Sequence, residues 1–286
     1  MLKVEFLSNK RTILLFTAMA ALTLVIGACQ SSGEQASSIP EVVITASDYT
    51  YDNPAEIQAG PTYLKMENAG EEYHHVQLLR LNDGVTLEQF QAALQQGEEA
   101  ALPLVTMHGG VGVLPKGESG RVLVTLEEGQ YVLTCFVPSQ DGVPHLAKGM
   151  LTPMKVVANE STEAVQIPEA DVTVALKDFN FVLPETISSG KQTWEISNEG
   201  PQPHEIIIMK LGDNMTMADI QAYFESMEGP PPFEFVGGMQ GLSVGESGTL
   251  ELDLGPGNYI VACAIPDPAT GMAHSDLGMV MQFDVQ

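Results

Sequence analysis

The chain has 286 residues, 44% of them hydrophobic, and a formal net charge of -25. At roughly 100–200 residues per domain that length suits two domains, and the apolar content excludes wholesale disorder. The acidity excludes a nucleic-acid-binding surface, because it repels phosphate, and it favours cations and basic partners.

From the N-terminus, Lys3, Lys10 and Arg11 precede the apolar run TILLFTAMAALTLVIGA, and the polar stretch QSSGEQASS follows at once. This is the layout of an export signal. The tetrad Ile26-Gly27-Ala28-Cys29 resembles a bacterial lipobox. That resemblance implies a diacylated, palmitate-bearing Cys29 as the first mature residue, a lipid anchor in the bacterial cell membrane and an extracytoplasmic location. An uncleaved anchor helix is the alternative. Residues 1–28 are therefore expected to be a lipoprotein signal peptide and 29–40 a flexible spacer.

Beyond residue 40 the chain repeats itself. MENAGEEYHHVQLLRLNDGVTLEQFQAAL (66–94) aligns without a gap to ISNEGPQPHEIIIMKLGDNMTMADIQAYF (196–224), and GESG at 117–120 matches GESG at 245–248. A duplication of this kind means two copies of one domain. The expected domains are 41–158 and 171–286, joined by a polar, acidic linker at 159–170.

Each copy reads mostly as strand. VVITASDYTYD alternates and then stops at Asn53-Pro54; TYLKMEN, HVQLLRL, RVLVTLE, YVLTC and PMKVV follow. The second copy gives VTVALKDFNF, TWEISN, HEIIIMKL, TLELDL, YIVACA and MVMQFDV. One helix interrupts each copy, with Thr86 and Gln89 opening the first and Thr216 and Asp219 the second. The predicted fold is all-β: two Greek-key β-sandwich domains in tandem, each with one helical insertion.

The copies have diverged widely, yet four reactive residues recur in one order: His74, Cys135, His145 and Met150, then His204, Cys263, His274 and Met279. Taken singly, each is an ordinary core, cap or surface residue. Together, two imidazoles, a thiolate and a thioether are the ligand set of a type 1 copper site. Equivalent positions in two copies also argue against a disulfide between Cys135 and Cys263. His75 and His108 have no counterparts, since Glu205 and Val236 stand there. They read as an auxiliary metal site or as solvent-facing or locally hydrogen-bonding residues.

Over nearly all of both copies the sequence resembles the cupredoxin family. Asn198-x-Gly200-x-x-Pro203-His204 and Asn68-x-Gly70-x-x-Tyr73-His74 look like its first-ligand segment. Cys-x9-His-x4-Met and Cys-x10-His-x4-Met look like its second, with a loop length similar to that of copper nitrite reductases. The family's frequent Asn after the first histidine is replaced by His75 and Glu205. The resemblance implies up to two type 1 coppers per chain and an electron carrier without enzymatic activity. Its redox partner would be a basic cytochrome or oxidoreductase, and electrons would cross an exposed edge of His145 or His274. With six histidines in all, a trinuclear catalytic cluster is not expected. A copper carrier or sequestering lipoprotein, or a metal-free binding module, are the alternatives.

Overall fold

The computed structural model describes residues 38–161, 165–184, 186–226 and 228–286. The expected signal peptide, Cys29 and most of the expected spacer lie outside the described residues. Among the described residues, no helix is long and apolar enough to cross a membrane.

The first half runs β1 (Glu41–Ser47), β2 (Thr50–Asp52), β3 (Glu56–Gln58), β4 (Gly60–Asn68), β5 (Gln77–Leu81), β6 (Val105–Met107), β7 (Ser119–Leu126), β8 (Gly129–Thr134) and β9 (Leu151–Val157). The second runs β10 (Val172–Lys177), β11 (Asn180–Val182), β12 (Gly190–Asn198), β13 (His204–Leu211), β14 (Phe233–Leu242), β15 (Ser247–Leu254), β16 (Gly257–Ala262) and β17 (Val280–Val285). β1 shows why: Val42, Ile44 and Ala46 point inward while the residues between them do not, the period-two pattern of a half-buried strand.

Three sheets result. One of five strands, β3-β9-β8-β5-β6, belongs to the first half, and one of four, β14-β13-β16-β17, to the second. The third has eight strands, β11-β10-β12-β15-β7-β4-β1-β2, and crosses from one half to the other. The crossing is the antiparallel pair β7–β15, with Leu123 opposite Thr249, Val122 opposite Leu250 and Arg121 opposite Glu251. Exchanging the two copies maps this register onto itself, so the halves are related by a local two-fold centred on Val122 and Leu250. A second contact, Val111 opposite Met239, obeys the same symmetry. Side chains of all three sheets join in one apolar core, with Trp194 and Tyr259 among its largest fully buried members.

Close backbone approach makes the seam. Gly112 N–H donates to Gly238 O, and Gln240 N–H to Gly110 O, each at 3.0 Å. A Cβ on Gly112 would lie 2.6 Å from Gly238 N, so only glycine fits there. The helical insertions pack over the outer sheets. α1 (Leu87–Leu94) carries the expected capping box of Thr86 and Gln89. The first half then departs from the single expected helix: Gly97, at φ +123°, breaks it before α2 (Glu98–Ala101) and a 3₁₀ turn at Leu102–Leu104. In the second half Thr216 and Asp219 open α3 (Met217–Ser226).

Candidate metal centres

The strand ends meet at one pole of each sandwich. Cys135 follows β8 and Cys263 follows β16. Each cysteine leads into a loop that folds back on itself. His145 N–H donates to Val137 O at 2.9 Å and Leu146 N–H to Cys135 O at 2.7 Å; the matching bonds of His274 and Ser275 measure 2.9 and 2.8 Å. A left-handed glycine, Gly149 or Gly278, then turns the chain into the last strand.

The first histidine is held by the Asn-x-Gly motif. Asn68 donates from Nδ2 to the carbonyls of Glu72 and Leu114, both at 2.9 Å, and accepts Gly70 N–H. Asn198 does the same with Gln202, Leu242 and Gly200. The glycine leaves room for the histidine's outer hydrogen bond. A Cβ on Gly70 would sit 2.4 Å from Asp48 Oδ1 and 2.5 Å from His74 Nε2.

Three of the four expected residues in each copy are brought together, all fully buried: His74, Cys135 and His145, and His204, Cys263 and His274. In the first group the two Nδ1 atoms are 3.1 Å apart, and Cys135 Sγ lies 4.0 Å from His74 Nδ1 and 3.5 Å from His145 Nδ1. The second group gives 3.1, 4.0 and 3.4 Å. Met150 and Met279 are fully buried beside them, their carbonyls accepting the cysteine N–H at 3.4 and 3.2 Å.

The outer hydrogen bonds fix the tautomers. His74 Nε2–H donates to Asp48 and His145 Nε2–H to Glu72, each at 2.8 Å. His204 Nε2–H donates to Asp178 at 2.8 Å, and His274 Nε2–H to Gln202 Oε1 at 3.3 Å. A carboxylate or amide oxygen only accepts, so the ring proton sits on Nε2. Burial pushes His74, His204 and His274 below the usual imidazole range, which keeps those rings neutral. Each site therefore aims two imidazole lone pairs and a sulfur at one buried point. Bare lone pairs 3.1 Å apart repel, and a cation between them removes the conflict. Three donors around one ion at about 2.0–2.3 Å in a plane stand roughly 3.5–3.8 Å apart, which the observed spacings bracket.

Burial also raises both thiols, Cys135 to about 11 and Cys263 further. The residue after the first histidine braces the residue after the cysteine. His75 Nε2 accepts Phe136 N–H at 2.9 Å, and Glu205 Oε1 accepts Ala264 N–H at 3.0 Å. Burial takes His75 down to about 3 and Glu205 up to about 7. His108, also buried, pairs through Nδ1 with Glu246 of the other half at 3.1 Å. Neither extra histidine faces solvent.

One expectation needs correcting. His145 and His274 present no exposed edge; both are fully buried. The Tyr49 and Phe179 rings pack against them in T-shaped contact, at 5.0 and 5.3 Å between centroids. The sequence reading also missed the residues that orient the rings, Asp48, Glu72, Asp178 and Gln202. Asp48 and Asp178 stand at the same repeat offset as the histidines they hold, and that was the available signal.

Two β-sandwich halves, each closing a buried His–Cys–His group beside a methionine, have the architecture that a tandem cupredoxin would have. No family model matches the chain, and no curated protein does. Among solved structures it is similar to reduced auracyanin from the photosynthetic bacterium Roseiflexus castenholzii, at 21% identity over 40% of this chain and 94% of that one, with a TM-score of 0.29. It is similar to auracyanin A, a blue copper protein from Chloroflexus aurantiacus, at 21% identity over 42% and 99%, TM-score 0.27. A multicopper oxidase aligns at 15% identity over 88% and 93%, TM-score 0.27.

Proposed function

We propose that the protein is a lipid-anchored, extracytoplasmic type 1 copper protein that carries electrons, with one copper in each half. The observation that carries this reading is the donor set itself: two outward-protonated imidazoles and one cysteine sulfur converging on a buried point, twice. His74, Cys135 and His145 would hold one ion and His204, Cys263 and His274 the other, with the Met150 and Met279 thioethers as further weak donors. Copper supplies a one-electron couple there. The chain's own residues do the rest. Asp48, Glu72, Asp178 and Gln202 lock the rings, the apolar core excludes water, and the hairpin loops hold one geometry for both oxidation states.

His75 and His108 each make a bond away from the two donor groups, through Nε2 to Phe136 N–H and through Nδ1 to Glu246. The net charge of -25 suits a basic redox partner, whose association would weaken with added salt.

Loading the purified protein with copper(II) tests this. The expected result is two coppers per chain and an intense Cys-to-copper visible band, halved by either Cys135→Ser or Cys263→Ser. No band and no bound copper would refute it.

A further inference from the structure

One corner of the two sites is built differently, and the difference is a paired exchange. At the first site His145 Nε2–H donates to the Glu72 carboxylate at 2.8 Å, and the Tyr49 hydroxyl, itself bonded by Ser139, donates to that carboxylate at 3.3 Å. At the second, the residue matching Glu72 is Gln202, whose Oε1 takes His274 Nε2–H at 3.3 Å. The residue matching Ser139 is Asp267, a buried carboxylate bonded to Thr270, and Gln202 Nε2 donates to Asp178 Oδ2 at 3.3 Å. Each corner keeps one carboxylate. At the first site it rests on the ligand-type imidazole; at the second the ring meets the neutral Gln202 amide instead.

The other contacts to the ring nitrogens match. Asp48 and Asp178 take the other imidazole at 2.8 Å each. The Nδ1–Nδ1 distance is 3.1 Å in both sites. Tyr49 and Phe179 pack against the rings in the same T-shaped way. His75 and Glu205 accept peptide N–H bonds and touch neither ring's outer nitrogen. Both corner carboxylates are sheltered, Glu72 at 23% side-chain exposure and Asp267 at 5%, so solvent screens neither fully.

A carboxylate on the far N–H of a metal-bound imidazole raises the ring's basicity and places negative charge in line with the ion. That favours the ion of higher charge. A neutral amide gives less, and a charge set further back falls off with distance.

We propose that Glu72 makes the first centre the stronger holder of copper(II), so that the two coppers of one chain are inequivalent and a single electron shared between them rests on the second. This deepens the copper reading and rests on it. The exchange balances: copper(I) at the first site is oxidised by one electron, copper(II) at the second is reduced by one, and no bond to the protein is made or broken. Glu72 and Gln202 act as positioning residues that set the order.

The test is a redox titration of the visible band at one fixed pH, with copper content measured on the same samples. The wild-type chain should titrate in two steps. Cys263→Ser, reporting the first site, should have the lower midpoint and Cys135→Ser the higher. The expected gap is a tenfold or greater difference in the copper(II)/copper(I) ratio, about 59 mV for one electron. Glu72→Gln should raise the first midpoint and narrow the gap, and Gln202→Glu should lower the second. Coincident midpoints, or a Glu72→Gln protein with full copper and band but an unmoved midpoint, overturn the inference alone. A chain that takes up no copper overturns the copper reading and this inference with it.

Discussion

Glu205→Gln is expected to stabilise the metal-free protein at pH 8 and to change it little at pH 5. Burial pushes the Glu205 carboxyl up from 4.5 to about 7, with the Ala264 N–H bond working the other way. Between those values the folded chain keeps a proton that the unfolded chain has released. The contribution of Glu205 is thus fully present below pH 4.5 and is lost as pH rises through about 7. At about 1.4 kcal/mol per pH unit, the loss by pH 8 is on the order of 3 kcal/mol. Glutamine keeps an oxygen for Ala264 N–H and never ionises, so it imitates the protonated acid. Urea unfolding of the metal-free protein at both pH values measures the difference. An equal increment at pH 5 and pH 8 would refute the reasoning. The matching residue runs in the opposite sense. Burial takes His75 from 6.5 to about 3, so its contribution is present above pH 6.5 and is lost as pH falls toward 3. His75→Asn should flatten that acid limb, and a slope unchanged from wild type would count against it.

Gly112→Ala should destabilise by about 1–3 kcal/mol, the usual cost of overpacking. The new Cβ meets Gly238 backbone of the other half at 2.6–2.7 Å, whereas Gly255→Ala, facing only the end of Lys210 at 3.5 Å, should stay within about 0.5 kcal/mol of wild type by denaturant midpoint. Thr134→Val should raise the thermal midpoint, because the buried Thr134 hydroxyl has no hydrogen-bond partner and removing such a group gains about 1 kcal/mol; a lowered midpoint would contradict this. Copper uptake at pH 8 should release about one proton per site, since Cys135 and Cys263 are protonated thiols until a metal displaces the proton. A pH indicator in weak buffer reads the release directly.

The repeat made much of this protein legible from its sequence. HEIIIMKL became β13 with the same limits, and the Thr86–Gln89 capping box formed as written. β14 escaped because Pro230–Pro232 and Gly237-Gly238 read as breakers. In the structure those glycines are the means of approach: a Cβ on Gly238, at φ +146°, would lie 2.1 Å from Ile206 O. The shared eight-stranded sheet left no trace either, because alternation along β7 is the same whether its edge is open or paired. At the sites, recurrence isolated the donors. It marked Asp48 through its match Asp178 but not Glu72, whose match is Gln202, and a carboxylate's role depends on which nitrogen it reaches. The family resemblance also gave the wrong exposure for His145 and His274, since it does not show that this loop folds back against an aromatic ring.

The seam answers how two similar copies pair first with second. A β7 edge left open would invite strand addition from other chains, and a two-fold register lets any copy close it with another. Paired first with first, Arg121 would face Leu123; paired second with second, Thr249 would face Glu251. Only the mixed pair sets Arg121 opposite Glu251, with Nη1 at 3.0 Å from the carboxylate. Its Nε lies 2.8 Å from Glu41, and its guanidinium stacks 3.5 Å from the Tyr63 ring centroid. At about one-third exposure this ion pair adds under about 1 kcal/mol, so it selects the partner more than it stabilises the join. The join then reaches the second site. Leu242, whose carbonyl anchors Asn198 below the His204 loop, bridges to His108 of the first half. Ser243 beside it exchanges hydrogen bonds with Met107. The first half thereby buttresses the loop that carries the second site's histidine, which makes the fused pair, and not the single sandwich, the unit that sets the second centre's geometry.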